Sequence, residues 1–519
     1  MPATNPRPRP ANGSSTRARR SRRLAVTLLA MTLIATLGFY PAQAGAADPP
    51  RPNFVVILTD DLGWGDLACQ GHPHIRTPHL DRLADQGMRF TSGYSAAPVC
   101  SPARVGLLTG RSPNRAGVFD WIPSIEQAGA SGRQSRHLVH MRAGEITLPQ
   151  LLREAGYATA MAGKWHCNAI FNDPRQTQPG DAGFDHWLAT QNNAAPSHEN
   201  PVNFVRNGEP TGMIEGYSCR IVTDEGIAWL TRHQDQHPGQ PFFLYLAFHE
   251  PHEPVASPPD LVAGYLDVAA NEDEAQYFAN VENIDLAVGD LLEALDRLEL
   301  ADETLVLFTS DNGPETLNRY RGANRSYGTP GALRGMKLWT TEAGVRVPGI
   351  LRWPGHVEAG AEVDDPVSAL DLLPTFTRLA GIEPPADLRL DGGDLVPLLT
   401  GQGPAPERPL FWFFYDALNE QRAALRSGPW KLLAAIEADG EPLPRLSNIT
   451  EATIDMVRGA ELTGFSLYRL DQDIGEATDV AADHPEVLQR LSEQLRAIHR
   501  EMVDSMHVWP DEPLPDDPS

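Results

Sequence analysis

The stretch "NFVVILTDDLG", residues 53–63, decides the fold: a continuous apolar run, Phe-Val-Val-Ile-Leu, enters a pair of carboxylates and a glycine. An apolar run without polar alternation suits a strand covered on both faces, as in the interior of a parallel sheet. The form recurs in "YATAMAGKWH" from Tyr157, "PFFLYLAFHEPH" from Pro241, "TLVLFTSDNG" from Thr304 and "VPGILRWPG" from Val347. Helical patterns lie between these runs, among them "TPHLDRLADQG", "TLPQLLREAG" and "AQYFANVENIDLAVGDLLEALDRL". The alternation predicts an α/β fold, a large mostly parallel or mixed sheet sandwiched by helices.

Each of the first four runs ends in chemistry. Asp60 and Asp61 close the first, Lys164 and His166 the second, His249 and His252 the third, Asp311 and Asn312 the fourth. Open α/β sheets bind ligands beyond the carboxyl ends of their strands, so one edge collects acids, an amide, imidazoles and an amine. Any one of these pairs alone reads as a solvated turn; four together read as a site.

The rest of the chain bounds what that site can meet. With 68 acidic against 43 basic residues the formal net charge is −25, which disfavours nucleic acid and anionic membrane surfaces as partners. An anionic substrate then needs a local cluster of cations. Residues 1–47 carry seven arginines and no acid, then "LAVTLLAMTLIATLGFY" and the small-residue stretch "AQAGAA". This is the pattern of a secretory signal peptide, and "SRRLAV" also resembles a twin-arginine signal. The expectation is an exported protein, periplasmic or extracellular, with no stable membrane anchor after signal removal.

A main domain is expected over 52–402. From about Gly403, "RPLFWFFY", "QRAALRSGPWKLLAAI" and "SLYRLDQD" suggest short antiparallel strands, followed by the helix "HPEVLQRLSEQLRAIHREMV". A smaller α+β subdomain is therefore expected over 403–510, with a flexible tail at 511–519. The four cysteines, Cys69, Cys100, Cys167 and Cys219, contain no Cys-x-x-Cys pair. A zinc ribbon is thus disfavoured, and export would permit one disulfide of unspecified pairing.

Asp60, Asp61, Asp311 and Asn312 offer oxygen ligands only, a set that favours Ca²⁺ or Mg²⁺ over zinc. In "APVCSPARVGLLTGR", residues 97–111, Arg104 follows Cys100 by four positions. A helix starting near Ser101 sets the two one turn apart on one face, with a helix N-terminus suited to an anion. Arg104, Lys164 and Lys337 then form the cation cluster that the acidic body lacks.

At this point the sequence resembles a known family. "CSPAR" is similar to the Cys-x-Pro-x-Arg signature of the formylglycine-dependent (type I) sulfatases, of the arylsulfatase A and N-acetylgalactosamine-6-sulfatase type in the alkaline phosphatase superfamily. Supporting stretches run through most of the chain after Pro52: "NFVVILTDDLGWGD", "HIRTPHLDRLADQGMRF", "AGKWH", "FTSDNGPE", "LRGMKLWTTEAGVRVPGILRWPG" and "LYRLDQDIGEATDVA". The resemblance implies that a maturation enzyme oxidises Cys100 to formylglycine, whose hydrate is the nucleophile toward a sulfate ester of a small molecule or glycan. It implies Asp60, Asp61, Asp311, Asn312 and modified residue 100 as ligands of Ca²⁺, with Mg²⁺ also open. Arg104 would hold the modified residue, Lys164 and Lys337 bind sulfate, and His166 handle the diol proton. His252 would bind substrate and protonate the leaving oxygen, with His249 as the other claimant.

Departures are local. Ala103 stands where serine is frequent, Cys167 where an aliphatic residue is usual, and "TTEAG" replaces "YEGG". Loops 191–201 and 318–331, rich in Asn, Arg, His and Tyr, are expected as substrate walls, and the histidines of "GHPHIRTPH" as surface residues or as supports behind the site. The competing readings are a phosphonate monoester or phosphodiester hydrolase of the same superfamily, and a sulfated-glycan binder in which Cys100 stays a thiol.

Overall fold

The run from Asn53 forms strand β1 (Asn53–Asp60), buried along its whole length. The structure, a computed structural model, describes residues 51–124, 139–317, 319–320 and 322–511. The expected signal segment 1–47 and all of the expected tail but Asp511 lie outside the described residues.

Strands β2 (Met88–Phe90), β3 (Gly93–Tyr94), β4 (Ala158–Lys164), β5 (His186–Thr190), β6 (Phe204–Arg206) and β7 (Glu209–Gly212) follow. Next come β8 (Phe242–Pro251), β9 (Thr304–Ser310), β10 (Gly349–Arg352) and β11 (Ala361–Val363). Ten of these strands form one sheet in the order β11-β2-β10-β9-β1-β8-β4-β5-β6-β7. Its centre, β9-β1-β8-β4-β5, is parallel throughout. Antiparallel pairs, β10 on β9 and β6 on β5, extend it on either side.

Alternation along β1 separates two apolar layers, because successive side chains leave opposite faces. Val55 and Ile57 join a cluster with Val222, Leu230, Ile284 and Leu291. These come from the helices Ser218–Gln236 and Glu272–Arg297. The second of these helices starts from Asn271, whose side chain accepts the Glu274 amide, with three acids in its first turn at the positive dipole end. Phe54, Val56 and Leu58 face the other way, into a cluster with Leu107, Leu152 and Phe376.

That second layer continues into the C-terminal sheet through Phe413, Leu425, Leu432 and Leu467. Here β12 (Val367–Ser368) pairs with β3. Strands β13 (Leu410–Phe413), β14 (Ala423–Ser427), β15 (Trp430–Ala438), β16 (Glu441–Pro442) and β17 (Glu461–Arg469) then build an antiparallel sheet, and the helix Pro485–Ser505 packs against it. The chain leaves the large sheet after Val363 and enters the C-terminal sheet at Leu410; the apolar core runs across, and residues from Arg51 onward form one compact unit.

A buried ion cluster ties the C-terminal sheet to β3 and to the short helix Glu342–Val345. The fully buried Glu342 carboxylate accepts hydrogen bonds from Lys431 Nζ of β15 and Tyr94 Oη of β3, each at 2.7 Å, and from Arg346 at 3.1 Å. Arg426 of β14 lies 3.7 Å from it. Burial alone would raise this carboxyl; Lys431, then Arg346 and Arg426, outweigh it and hold it below the ordinary glutamate range. A depressed folded value contributes stability above the unfolded value and loses it as pH falls through the folded one. Thermal unfolding followed by calorimetry should therefore show stability declining below about pH 4.5, the ordinary glutamate value. Glu342→Gln should flatten that decline and cost about 3–5 kcal/mol at neutral pH, since three basic groups lose their counter-charge.

Candidate active site

Strand register assembles the site. Thr59 pairs with Ser310 of β9, and Asp60 with Pro251 of β8, so Asp311 emerges level with Asp60 and His252 level with Asp61. Asp61 follows β1 in left-handed backbone, φ 65°, a conformation disfavoured for a residue with a Cβ. Lys164 ends β4, beside β8. Gly163 before it has φ 108°, and a Cβ there would lie 1.8 Å from the Ala247 carbonyl oxygen, so only glycine allows this approach.

Cys100 opens a helix, Cys100–Thr109, whose ten residues are all buried, and Arg104 projects from the same face one turn on. Cys100 Sγ lies 3.4 Å from Asp60 Oδ1. Arg104 spans the floor of the site: Nε meets Asp311 Oδ2 at 2.9 Å, one terminal nitrogen meets that same oxygen at 2.8 Å, and the other donates to the Lys164 carbonyl at 2.7 Å. Lys164 Nζ pairs with Asp60 and reaches Asn193 Oδ1 at 3.1 Å. Lys337 Nζ is 2.8 Å from Asp61, and Asn312 Nδ2 donates to Asp61 Oδ1 at 2.7 Å.

Charge follows from this crowding. Burial raises the Asp60 carboxyl, but Lys164, His252, Arg104 and Lys337 together hold it well below the usual range. Asp311 is driven up, by burial and by the Asp60 charge, against Arg104. Burial pulls the Lys337 ammonium down, and Asp61 chief among the anions pushes it well above the usual lysine value. Burial and then Asp60 push the Cys100 thiol up, so it is no ready thiolate. Burial, then Lys337, bring His252 down to about 4. Its Nδ1–H donates to the Glu253 carbonyl at 2.6 Å, which keeps the proton on Nδ1 and leaves Nε2, 3.6 Å from Asp61, as the exchangeable position.

The residues present fit a hard divalent cation. One ligand atom from each of Asp60, Asp61, Cys100 and His252 lies within 4.8 Å of the others. Asn312 Oδ1 is buried with no hydrogen-bond partner, an orphaned carbonyl oxygen at the edge of the carboxylate group. Carboxylate and amide oxygens are the donors that Ca²⁺ and Mg²⁺ take.

A cavity of about 400 Å³ opens over this floor, lined by Cys100, His166, His252 and Lys337. His166 sits at φ 53°, with Nε2 3.0 Å from the Ile122 carbonyl and a partnerless buried Nδ1. Lys164 and Arg104 lie behind the wall, engaged with the carboxylates. His249 does not line the cavity; its Nε2 is 2.7 Å from Thr190 Oγ1. Of the two loops expected as substrate walls, Asn192 and Asn193 of one and Arg319 and Tyr320 of the other reach the cavity. His198 of the first loop is wholly buried behind it, near Asn280 and Glu250. Asp120, Trp121, Asp416 and Arg445 also line the cavity, and nothing in their sequence context marks them.

Comparison with known proteins agrees with this geometry. Residues 52–382 match the family model described as sulfatase, and residues 336–437 that of the N-sulphoglucosamine sulphohydrolase C-terminal region. The chain is 34% identical to Homo sapiens arylsulfatase A over 494 residues, covering 87% of this chain and 88% of the relative. It is 36% identical to Homo sapiens N-acetylgalactosamine-6-sulfatase over 395 residues, covering 72% and 70%. Among solved structures it resembles that of Ps i-CgsB, with TM-score 0.72, 26% identity, and 89% and 95% of the two chains covered. The chain belongs to the sulfatase family, arylsulfatase A-like within the alkaline phosphatase superfamily, and is a sulfuric ester hydrolase.

Among the described residues, no helix is long and apolar enough to cross a membrane.

Proposed function

We propose that this enzyme hydrolyses sulfate esters of saccharides in the cavity above Cys100, after a maturation enzyme has converted that thiol to formylglycine. The observation that carries the reading is the position of Cys100: 3.4 Å from Asp60, on a cavity floor shared with His166, His252 and Lys337. Burial holds the thiol protonated, so the residue's use lies in its oxidised form rather than in thiolate attack.

The hydrated aldehyde carries two hydroxyls on one carbon. One gives its proton to His252 Nε2 and attacks sulfur, the bond from sulfur to the ester oxygen breaks, and that oxygen takes the proton on from His252 Nε2 and leaves as the alcohol. The second hydroxyl gives up its proton, with His166 as the acceptor, and its oxygen closes the carbonyl. The bond between carbon and the sulfate oxygen breaks, sulfate departs, and water rehydrates the aldehyde. Lys337, on the cavity wall, binds the sulfate oxygens, and Arg104 fixes Asp311 and the helix that bears residue 100. Lys164 fixes Asp60, and would turn to the sulfate once that carboxylate is otherwise engaged. A divalent cation held by Asp60, Asp61, Asp311, Asn312 and residue 100 would supply positive charge that acidifies a hydroxyl and offsets the charge of the ester. The enzyme is exported by the segment 1–47.

Sulfate release from aryl and saccharide sulfates, run beside phosphonate monoesters and phosphodiesters, tests the reading. Preference for the phosphorus esters overturns it. His252→Ala should slow an alkyl or sugar sulfate about 10²- to 10⁴-fold, because that leaving oxygen needs a proton. An aryl sulfate, whose phenolate leaves unaided, should lose much less; equal losses would remove His252 from the proton-donor role. Prolonged chelation should abolish turnover, and readdition of Ca²⁺ or Mg²⁺ should restore it.

A further inference from the structure

We propose that the mouth of the cavity selects a saccharide bearing a single sulfate and no second anionic group, and that Asp416 and Arg445 set this selectivity. The proposal rests on the sulfate-ester reading above and concerns only the part of the substrate beyond the sulfate.

Every cation on the described walls of the cavity is matched to an acid. Arg445 Nε pairs with Asp416 Oδ1 at 2.8 Å, and the same guanidinium donates to the Asp416 carbonyl at 3.0 and 3.2 Å. Arg319 Nε is held by Glu315 Oε2 at 2.8 Å. Lys337 at the floor, paired with Asp61, is the cation assigned above to the first sulfate. Among the described residues of the wall, a second sulfate or a uronate on the substrate would find no further positive charge without an acid beside it. It would have to break an ion pair or sit against Asp416, inside a protein of formal charge −25.

An uncharged ring meets no such conflict. Its hydroxyls can accept from the outer N–H groups of Arg445 and donate to Asp416, leaving the pair intact, since a carboxylate and a guanidinium side by side offer acceptor and donor together. The indole of Trp121 packs against Val99, Leu338, Phe414 and Ala417, which fixes it at the wall, and Tyr320 is 48% exposed at the rim. Both rings offer apolar faces to the C–H side of a sugar. Asp416 and Arg445 follow β13 and β16 of the C-terminal sheet, outside the strands that carry the sulfate chemistry.

The test measures kcat/KM of the matured enzyme on methyl hexopyranoside monosulfates and the corresponding disulfates, with an aryl monosulfate as reference. The monosulfates should be favoured by about tenfold or more. Asp416→Asn frees a guanidinium and should lower that ratio about fivefold, whereas Arg445→Gln frees a carboxylate and should raise it. Taking a ratio cancels any loss of active protein, and a merely structural role would not move the two variants in opposite directions. A wild-type ratio near one, or both variants shifting it the same way, overturns the proposal alone; cleavage of the aryl sulfate with neither hexoside cleaved overturns the saccharide reading and the proposal with it, and leaves the sulfatase chemistry standing. No sulfate from any of the three substrates overturns the sulfatase chemistry and this proposal with it.

Discussion

Cys100→Ala should abolish sulfate release, a loss of about 10⁴-fold or more, with the fold retained. The exchange removes one buried sulfur from the first turn of a helix that keeps its other nine residues packed. Cys100→Ser separates the two halves of the cycle. A single hydroxyl can take the sulfuryl group from the ester but has no geminal partner to expel sulfate, so the variant should release alcohol once and stop. Intact-mass analysis should then find about 80 Da added, with the attacking oxygen still bonded to sulfur. Wild-type protein from a host able to mature it should instead lose about 18 Da at Cys100, the change from CH₂SH to CHO. Full activity in protein whose Cys100 remains a thiol would sink the mechanism.

The second large effect falls on Arg104, which is fully buried with Asp311 and Asp60 around its guanidinium. Arg104→Met keeps much of the volume and removes the charge, leaving two buried carboxylates facing each other across the floor. Breaking a buried ion pair from one side costs about 3–5 kcal/mol, and denaturant unfolding should show a loss of that order. Turnover should fall as well, because Asp311 and the helix carrying residue 100 lose their common anchor. Arg104→Lys should recover little, since one ammonium cannot reach Asp311 and the Lys164 carbonyl together as the planar fork does. A stability change below about 1 kcal/mol would show that the carboxylates relieve their repulsion by taking up a proton.

Much of this was legible in the sequence for a physical reason. A strand covered on both faces must be apolar throughout, so β1, β4, β8 and β9 announce themselves, and the first polar residue after each marks the sheet edge. Asp60, Lys164, His252 and Asp311 converge because adjacent parallel strands end at the same level. Short strands at the two flanks of the sheet, β2 and β11 on one side and β6 and β7 on the other, gave no comparable signal, and the antiparallel direction of β10 cannot be read from "VPGILRWPG". Polar composition also misdirects: His198 sits in a loop that reads as solvent-facing, yet it is fully buried. The walls of the cavity were the least readable part. Asp120, Asp416 and Arg445 come from loops apart in the chain, and only the folded arrangement brings them to the opening that the loop of Tyr320 was expected to wall.

The Glu342 cluster carries a practical corollary for anyone trimming the gene. Stopping the reading frame before Leu410 would delete Arg426 and Lys431 while sparing their acidic partner, and would strip the shared apolar layer of its cover. Such a fragment should come out of the cell as aggregate despite holding every group assigned to the sulfate chemistry, so the C-terminal portion is not a detachable accessory.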